Sequence, residues 1–146
     1  MELVVYLAGH IHGDWREELR QKARARNLPL QFVGPQEDHD RSDDIGENIL
    51  GPKPDAIAHD AAASQINNLR TRVLMNRADV VIACFQEQYR QWNTAMDAGA
   101  AIALGKPLIV VRPKALHHAL KEVADRAQVV CEELDQAVEA LAYIFE

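Results

Sequence analysis

The sequence predicts a doubly wound α/β fold, and three observations carry that expectation. Short apolar runs rich in β-branched residues recur at 2–8, 30–33, 78–85, 108–111 and 128–131, each bounded by polar or turn residues. Runs of this length and composition read as strands buried on both faces. Stretches of helical character stand between them, so strand and helix alternate throughout, the pattern of a parallel sheet with right-handed crossovers. Five strands in such a chain suggest the flavodoxin-like order 2-1-3-4-5. The binding edge of that sheet lies at the carboxyl ends of strands 1 and 3.

Each element has its own reason. Residues 2–8 form the first strand and 9–13 a tight turn, in which Gly9 permits close backbone approach. Asp14 is expected to cap the first helix, with Glu17 at capping-box spacing. Trp15, Leu19 and Ala23 recur every four residues and face the sheet, which leaves Arg16, Glu17, Arg20 and Arg24 to solvent. Asn27 ends the helix before Pro29. After the strand at 30–33, Gly34-Pro35 breaks the chain. Residues 35–54, PQEDHDRSDDIGENILGPKP, show little periodicity and many charges, and are expected to form an irregular loop at the binding edge. A helix follows over 60–77, with Ile66, Leu69 and Val73 on its buried face. The strand at 78–85 leads into an alanine-rich helix over 95–104. Asn93 or Thr94 caps it, and Gly105 and Pro107 stop it. Asp97 then falls in its first turn, at the rim where ligands of parallel sheets sit. Beyond the strand at 108–111, a helix over 117–126, the strand at 128–131 and an amphipathic helix over 134–145 complete the chain.

Composition narrows the function. A chain of 146 residues suggests one domain, 1–146. With 22 acidic against 16 basic residues the formal net charge is −6, which argues against binding nucleic acid polymers or anionic membrane. The apolar runs are too short to cross a bilayer, and no signal peptide precedes the first strand. Cys84 and Cys131 lie in apolar strands and read as reduced thiols, so a cytoplasmic location is expected. There is no Walker A or GxGxxG motif. The aspartates of 38–44 lack the glycine and closing glutamate of a calcium loop. His10 and His12, with His39 elsewhere, have no third ligand fixed by spacing. No cofactor and no metal are expected.

Four segments carry a resemblance: Tyr6-Leu7-Ala8-Gly9, then 78–83 (ADVVIA), 93–101 (NTAMDAGAA) and 104–107 (LGKP). They resemble the nucleoside 2-deoxyribosyltransferase superfamily. The whole chain is similar to one bacterial branch of it, the YtoQ family, through 32–51 (FVGPQEDHDRSDDIGENILG) and 66–76 (INNLRTRVLMN). The resemblance implies an enzyme that cleaves or transfers the N-glycosidic bond of a (deoxy)nucleoside or nucleotide. A carboxylate attacks C1′, the base leaves, and a second base or water takes the sugar. Thr94 matches the family pattern and Asn93 replaces its glycine. Asp97 stands where the family has glutamate, one methylene shorter and so roughly 1.5 Å less in reach. Thr71 falls near the place of an upstream acid, for which Asp60 or a loop carboxylate could substitute in space.

Asp97 is the candidate nucleophile. Its other reading is a capping residue three positions after Thr94, and in either role the helix dipole is expected to keep its carboxyl acidic. Tyr6, Gly9, His10, Trp92, Asn93 and Thr94 are the candidates for the sugar and base site. Tyr89 and Trp92 offer flat rings for stacking or for a subunit interface. Asp38, Asp40, Arg41 and Asp43 could hold hydroxyls, or form a solvated loop with Asx turns. Arg41, Arg70 and Arg112 are the arginines a 5′-phosphate could meet. A non-catalytic nucleotide-binding or sensing domain is the alternative function. The alanine-rich helix can pack closely against a neighbour, and the related enzymes place parts of one subunit at another's site, so a homo-oligomer is expected.

Overall fold

A computed structural model describes residues 1–88 and 90–146; Tyr89, expected to offer a stacking ring, lies outside the described residues. Five strands, β1 (Leu3–Ala8), β2 (Leu30–Val33), β3 (Val80–Cys84), β4 (Leu108–Val111) and β5 (Val129–Cys131), pair in parallel in the expected order β2-β1-β3-β4-β5. The register places Val5 opposite both Phe32 and Val80, and Ala83 opposite both Ala8 and Val110.

The period-2 alternation of each strand builds two cores. Val5, Leu7, Val80, Ile82, Ile109 and Val111 face α1 (Trp15–Ala25) and α6 (Leu134–Tyr143), where they meet Trp15, Leu19 and Leu141. Tyr6, Ala8, Val81, Ala83, Leu108 and Val110 face α3 (Ala56–Arg77) and α4 (Trp92–Ala103), meeting Met75, Ala98 and Ala101. Small residues on α4 let it lie close on the sheet. Cys84 and Cys131 are free, and both pair across Val111. They are thus two strand spacings apart, roughly 9.6 Å, beyond disulfide reach. Among the described residues no helix is long and apolar enough to cross a membrane.

Several expectations are corrected. Most of 35–54 is not loop: α2 (His39–Leu50) occupies it, capped by the Asp38 side chain, which accepts from the Arg41 backbone N–H at 3.0 Å. Its apolar signal is thin because it docks through Gly46, where an added Cβ would lie 2.3 Å from the Ala62 and Ala63 backbones. Only glycine allows that approach of α2 to α3. α3 itself begins at Ala56 and is capped by Asp55. Its expected apolar face is turned out: Leu69 and Val73 are exposed, and the buried residues are Ala62, Ala63 and Met75. The helix expected over 117–126 is instead a 3₁₀ turn at Lys114–Leu116 followed by the short α5 (Lys121–Asp125). Asp14 makes no side-chain cap bond, and Arg16, assigned to solvent, is buried.

Candidate active site

The geometry begins with where α4 starts. Its N-cap is Gln91 and its first residue Trp92, several residues before the expected start. Thr94 is therefore buried inside the first turn, and Asp97 stands in the second turn. A carboxylate there is past the free N–H groups of the helix end, so the capping reading of Asp97 does not hold. The expected acidic pKa is also reversed. Burial raises the Asp97 carboxyl to about 6, against the opposing influence of the Tyr6 hydroxyl and the Arg16 charge.

Tyr6 lies under Asp97. Its ring is wholly buried by the period-2 alternation of β1, and its hydroxyl is sealed from solvent. Thr71 and Asp97 both act on that hydroxyl, yet neither meets it in full hydrogen-bond geometry, which leaves it unsatisfied. Burial, and then the Asp97 charge, push the phenol up to about 12. It stays protonated at neutral pH.

Above this pair opens a cleft of about 670 Å³. The turn after β1 contributes Gly9 and His10, α2 contributes Asp43, and α4 contributes Trp92, Asn93, Thr94 and Asp97. Thus seven candidate residues line one cleft, with Tyr6 beneath it. Asp38, Asp40 and Arg41 do not line it: Asp38 caps α2 through the Arg41 N–H, and Asp40 sits exposed in the first turn of that helix. Arg70 reaches the cleft with its Nε donating to Gly34 O at 3.1 Å, whereas Arg112 lies outside it. Trp92 is 74% exposed at the mouth, with the Arg90 guanidinium 5.6 Å from its ring centroid.

The turn after β1 is heavily tied. His10 Nδ1 accepts from the His12 N–H at 3.2 Å, so Nε2 carries the proton and donates to Gln86 Oε1 at 2.6 Å. Gln91 donates back to the Gln86 carbonyl. The loops after β1 and β3 are thereby joined. The His12 ring lies 5.2 Å from that of His39, and His39 Nε2 lies 3.2 Å from Asp43 Oδ2, which carries the link to α2.

Asp60, Ser64, Asn67, Asn68 and Thr71 of α3 also line the cleft; the resemblance pointed to Asp60 and Thr71, and sequence reasoning missed the other three. They recur at helical spacing along α3, so the signal was a polar stripe on the face opposite the one expected to matter. Asn67 also fixes α2, donating to Ser42 O at 3.0 Å. Among the described residues no group of three or more His, Cys, Asp or Glu could hold a metal ion.

A second cleft, about 440 Å³, opens at the same edge on the α1/α6 side, with Asp14, Glu18, Lys22, Glu87, Glu133 and Asp135 around it. Lys22 Nζ lies 2.8 Å from Asp135, and Glu133 completes a capping box with Gln136. At its base Cys84 is held as a thiol, burial pushing its pKa up to about 12.

Comparisons with known proteins agree with this fold. The protein YtoQ of Bacillus subtilis is 59% identical over 146 residues, covering 100% of this chain and 99% of that protein. A crystal structure of a conserved protein from Enterococcus faecalis V583 superposes with a TM-score of 0.64 at 14% identity, over 99% of both chains. The 2-deoxyribosyltransferase of Bacillus psychrosaccharolyticus superposes with a TM-score of 0.55 at 18% identity, covering 94% of this chain and 95% of that one. At such identities the two structures speak for the fold alone. The family profile described as nucleoside 2-deoxyribosyltransferase YtoQ matches residues 6–145. The chain therefore belongs to the YtoQ family, with a nucleoside 2-deoxyribosyltransferase-like fold.

Proposed function

We propose that this protein cleaves or transfers the N-glycosidic bond of a (deoxy)nucleoside or nucleotide, with Asp97 as nucleophile. The observation that carries the reading is a partly buried carboxylate with no capping role, held over an unsatisfied tyrosine hydroxyl on the floor of a cleft. A cleft of about 670 Å³ is of the size that takes a small molecule.

The chemistry follows from those groups. An Asp97 oxygen attacks C1′, the C1′–N bond breaks, and its electron pair leaves with the base, which takes up a proton. Water or a second base then displaces Asp97 from C1′ and restores the carboxylate. A carboxyl that titrates near 6 is mostly ionised at neutral pH, and its partial desolvation raises its nucleophilicity. Tyr6 can donate to one carboxylate oxygen and leave the other for attack. Trp92 offers a flat face to the base, and Asp43 with the polar stripe of α3 offers acceptors and donors to sugar hydroxyls.

A non-catalytic nucleotide-binding role is the second reading. It is favoured by the shorter side chain at Asp97 and by Thr71 at the place of an upstream acid. One panel separates the two. Ribo- and deoxynucleosides and their 5′-monophosphates are incubated with the protein, with and without an acceptor base. Released base and melting temperature are read together. Base release that vanishes in Asp97→Asn supports the glycosidic reading. A melting shift without released base supports the binding reading, and release that survives the substitution refutes Asp97 as nucleophile.

A further inference from the structure

The departing base has to take up a proton, and a nucleophilic Asp97 is on the wrong side of the sugar to supply it. In a displacement at C1′ the leaving group departs opposite the attacking carboxylate. The donor must stand across the cleft from Asp97 and exchange a proton near neutral pH, which imidazole does best. Three imidazoles line the cleft, those of His10, His12 and His39. Both ring nitrogens of His10 are engaged, Nδ1 by the His12 N–H at 3.2 Å and Nε2 by Gln86 Oε1 at 2.6 Å. His39 is held differently. Its Nε2 lies 3.2 Å from Asp43 Oδ2, one turn along α2, and its ring packs 5.2 Å from that of His12. This pair uses one nitrogen of the imidazole and one oxygen of the carboxylate, and the second of each is left for a ligand.

Its place in the cleft fits the task. Asn67 of α3 donates to Ser42 O at 3.0 Å, and Ser42 lies three residues along α2 from His39. Thr71, one turn beyond Asn67 on the same helix, lines the cleft beside the Tyr6 hydroxyl at its floor. His39 is therefore about two helical turns, each about 5.4 Å, from the groups around Asp97. That leaves room for a sugar over Asp97 with its base toward α2. We propose that His39, oriented by Asp43, is the general acid that protonates the leaving base. This rests on the reading of Asp97 as nucleophile. As the C1′–N bond breaks, its electron pair goes to the base, a ring nitrogen or carbonyl oxygen of the base takes the proton from Nδ1, and His39 is left neutral. The water or second base that then displaces Asp97 returns a proton to Nδ1.

Stability does not account for the pair. An ion pair of this spacing on an exposed helix adds little, and α2 is already capped by Asp38. The charges around His39 are mixed. Asp38 and Asp40 flank it in the chain, and His12, Asp60, Arg70 and Arg90 face the same cleft from the turn after β1, from α3 and from the segment before α4. Among the described residues, Asp43 is the carboxylate within ion-pair distance of it. A carboxylate on one ring nitrogen fixes the imidazole and balances its charge while the other nitrogen hands over the proton.

The test compares leaving groups. N7-methylated 2′-deoxyguanosine carries a cationic base that departs neutral and needs no acid, whereas 2′-deoxyguanosine needs one; for a pyrimidine-specific enzyme, 5-nitro-2′-deoxyuridine against 2′-deoxyuridine makes the same comparison. His39→Asn is expected to lower kcat/KM by about 100-fold or more for the ordinary nucleoside, and by at least about tenfold less for the activated one. The basic limb of the wild-type pH profile, where the imidazole loses its proton, should disappear in the variant. Asp43→Asn should show the same selectivity with a smaller loss. Equal losses on both nucleosides overturn the proposal, as does a selective loss that appears in His12→Asn and not in His39→Asn. A wild type that releases only the activated base has no working acid, which also overturns it. If the wild type releases base from no nucleoside, activated or not, the glycosidic reading itself fails and the proposal falls with it.

Discussion

Two clefts open at the carboxyl edge of one sheet, and they differ in what their polar groups have to bond. Around the smaller cleft the charges sit on the rim, and several are paired or capping: Lys22 with Asp135 and Glu18, Glu133 with the start of α6. The larger cleft has the reverse arrangement at its floor. Asp97 is partly desolvated and Tyr6 carries an unsatisfied hydroxyl. Groups that are paired add stability and have nothing left to offer a ligand. Groups left short of partners weaken the fold and are available to one, which is the usual signature of a functional site. Cleft acidity alone would have pointed to the wrong side of the sheet.

The contrast can be broken by exchange of charge for amide on each side. Asp97→Asn is expected to lower turnover by about 10³-fold or more, as loss of a covalent nucleophile does. Glu87→Gln, on the rim of the other cleft, should stay within about twofold of wild type in activity and within about 0.5 kcal/mol in stability. Equal effects at the two sites would remove the distinction between them.

Stability against pH sharpens it further. The folded-state pKa of Asp97, about 6, lies above its ordinary value of 3.8. The folded protein therefore holds this proton more tightly than the unfolded chain. Its contribution favours folding at low pH and is lost as pH rises from about 4 through about 6. Compared at pH 7, Asp97→Asn should be more stable than wild type by about 1–3 kcal/mol, and the advantage should shrink toward pH 4. Paired thermal melts across that range check the sign. A gap that widens on acidification would mean that Asp97 is stabilised as the anion.

The wall of the larger cleft offers a third test. Gly46→Ala forces a methyl into the α3 backbone and should cost about 1–3 kcal/mol, with weaker ligand binding because α2 carries Asp43. Denaturant melts measure the first effect and titration of the cleft the second; the smaller cleft should be undisturbed. A small change in stability is expected for Tyr6→Phe. Removing a hydroxyl that lacks a partner should leave stability unchanged or raise it by up to about 1 kcal/mol, while turnover falls by about tenfold or more.

Much of this was legible in the residues. The strands and their order follow from β-branched runs between helical stretches, and the position of Asp97 after β3 follows from that order. What escaped reading has a physical reason in each case. α2 was hidden because its contact with α3 is made by a glycine, which periodicity treats as a breaker. Leu69 and Val73 misled because the α3 face pressed on its neighbours is built from alanines, and small residues carry little apolar signal. Arg16 was assigned to solvent by its charge, although it shares a helix face with Leu19 and Ala23, three and seven residues on. Asp97 was expected to be acidic because its helix was thought to begin three residues later than it does.

A single measurement bears most heavily on the role of Asp97. The protein is mixed with a deoxynucleoside in the absence of acceptor base and quenched in acid during turnover, and its peptides are weighed. The expected result is a deoxyribosyl adduct on the α4 peptide at Asp97, absent from Asp97→Asn. Released base with no adduct at any time, together with turnover that persists in Asp97→Asn, would contradict the assignment of this carboxylate as nucleophile.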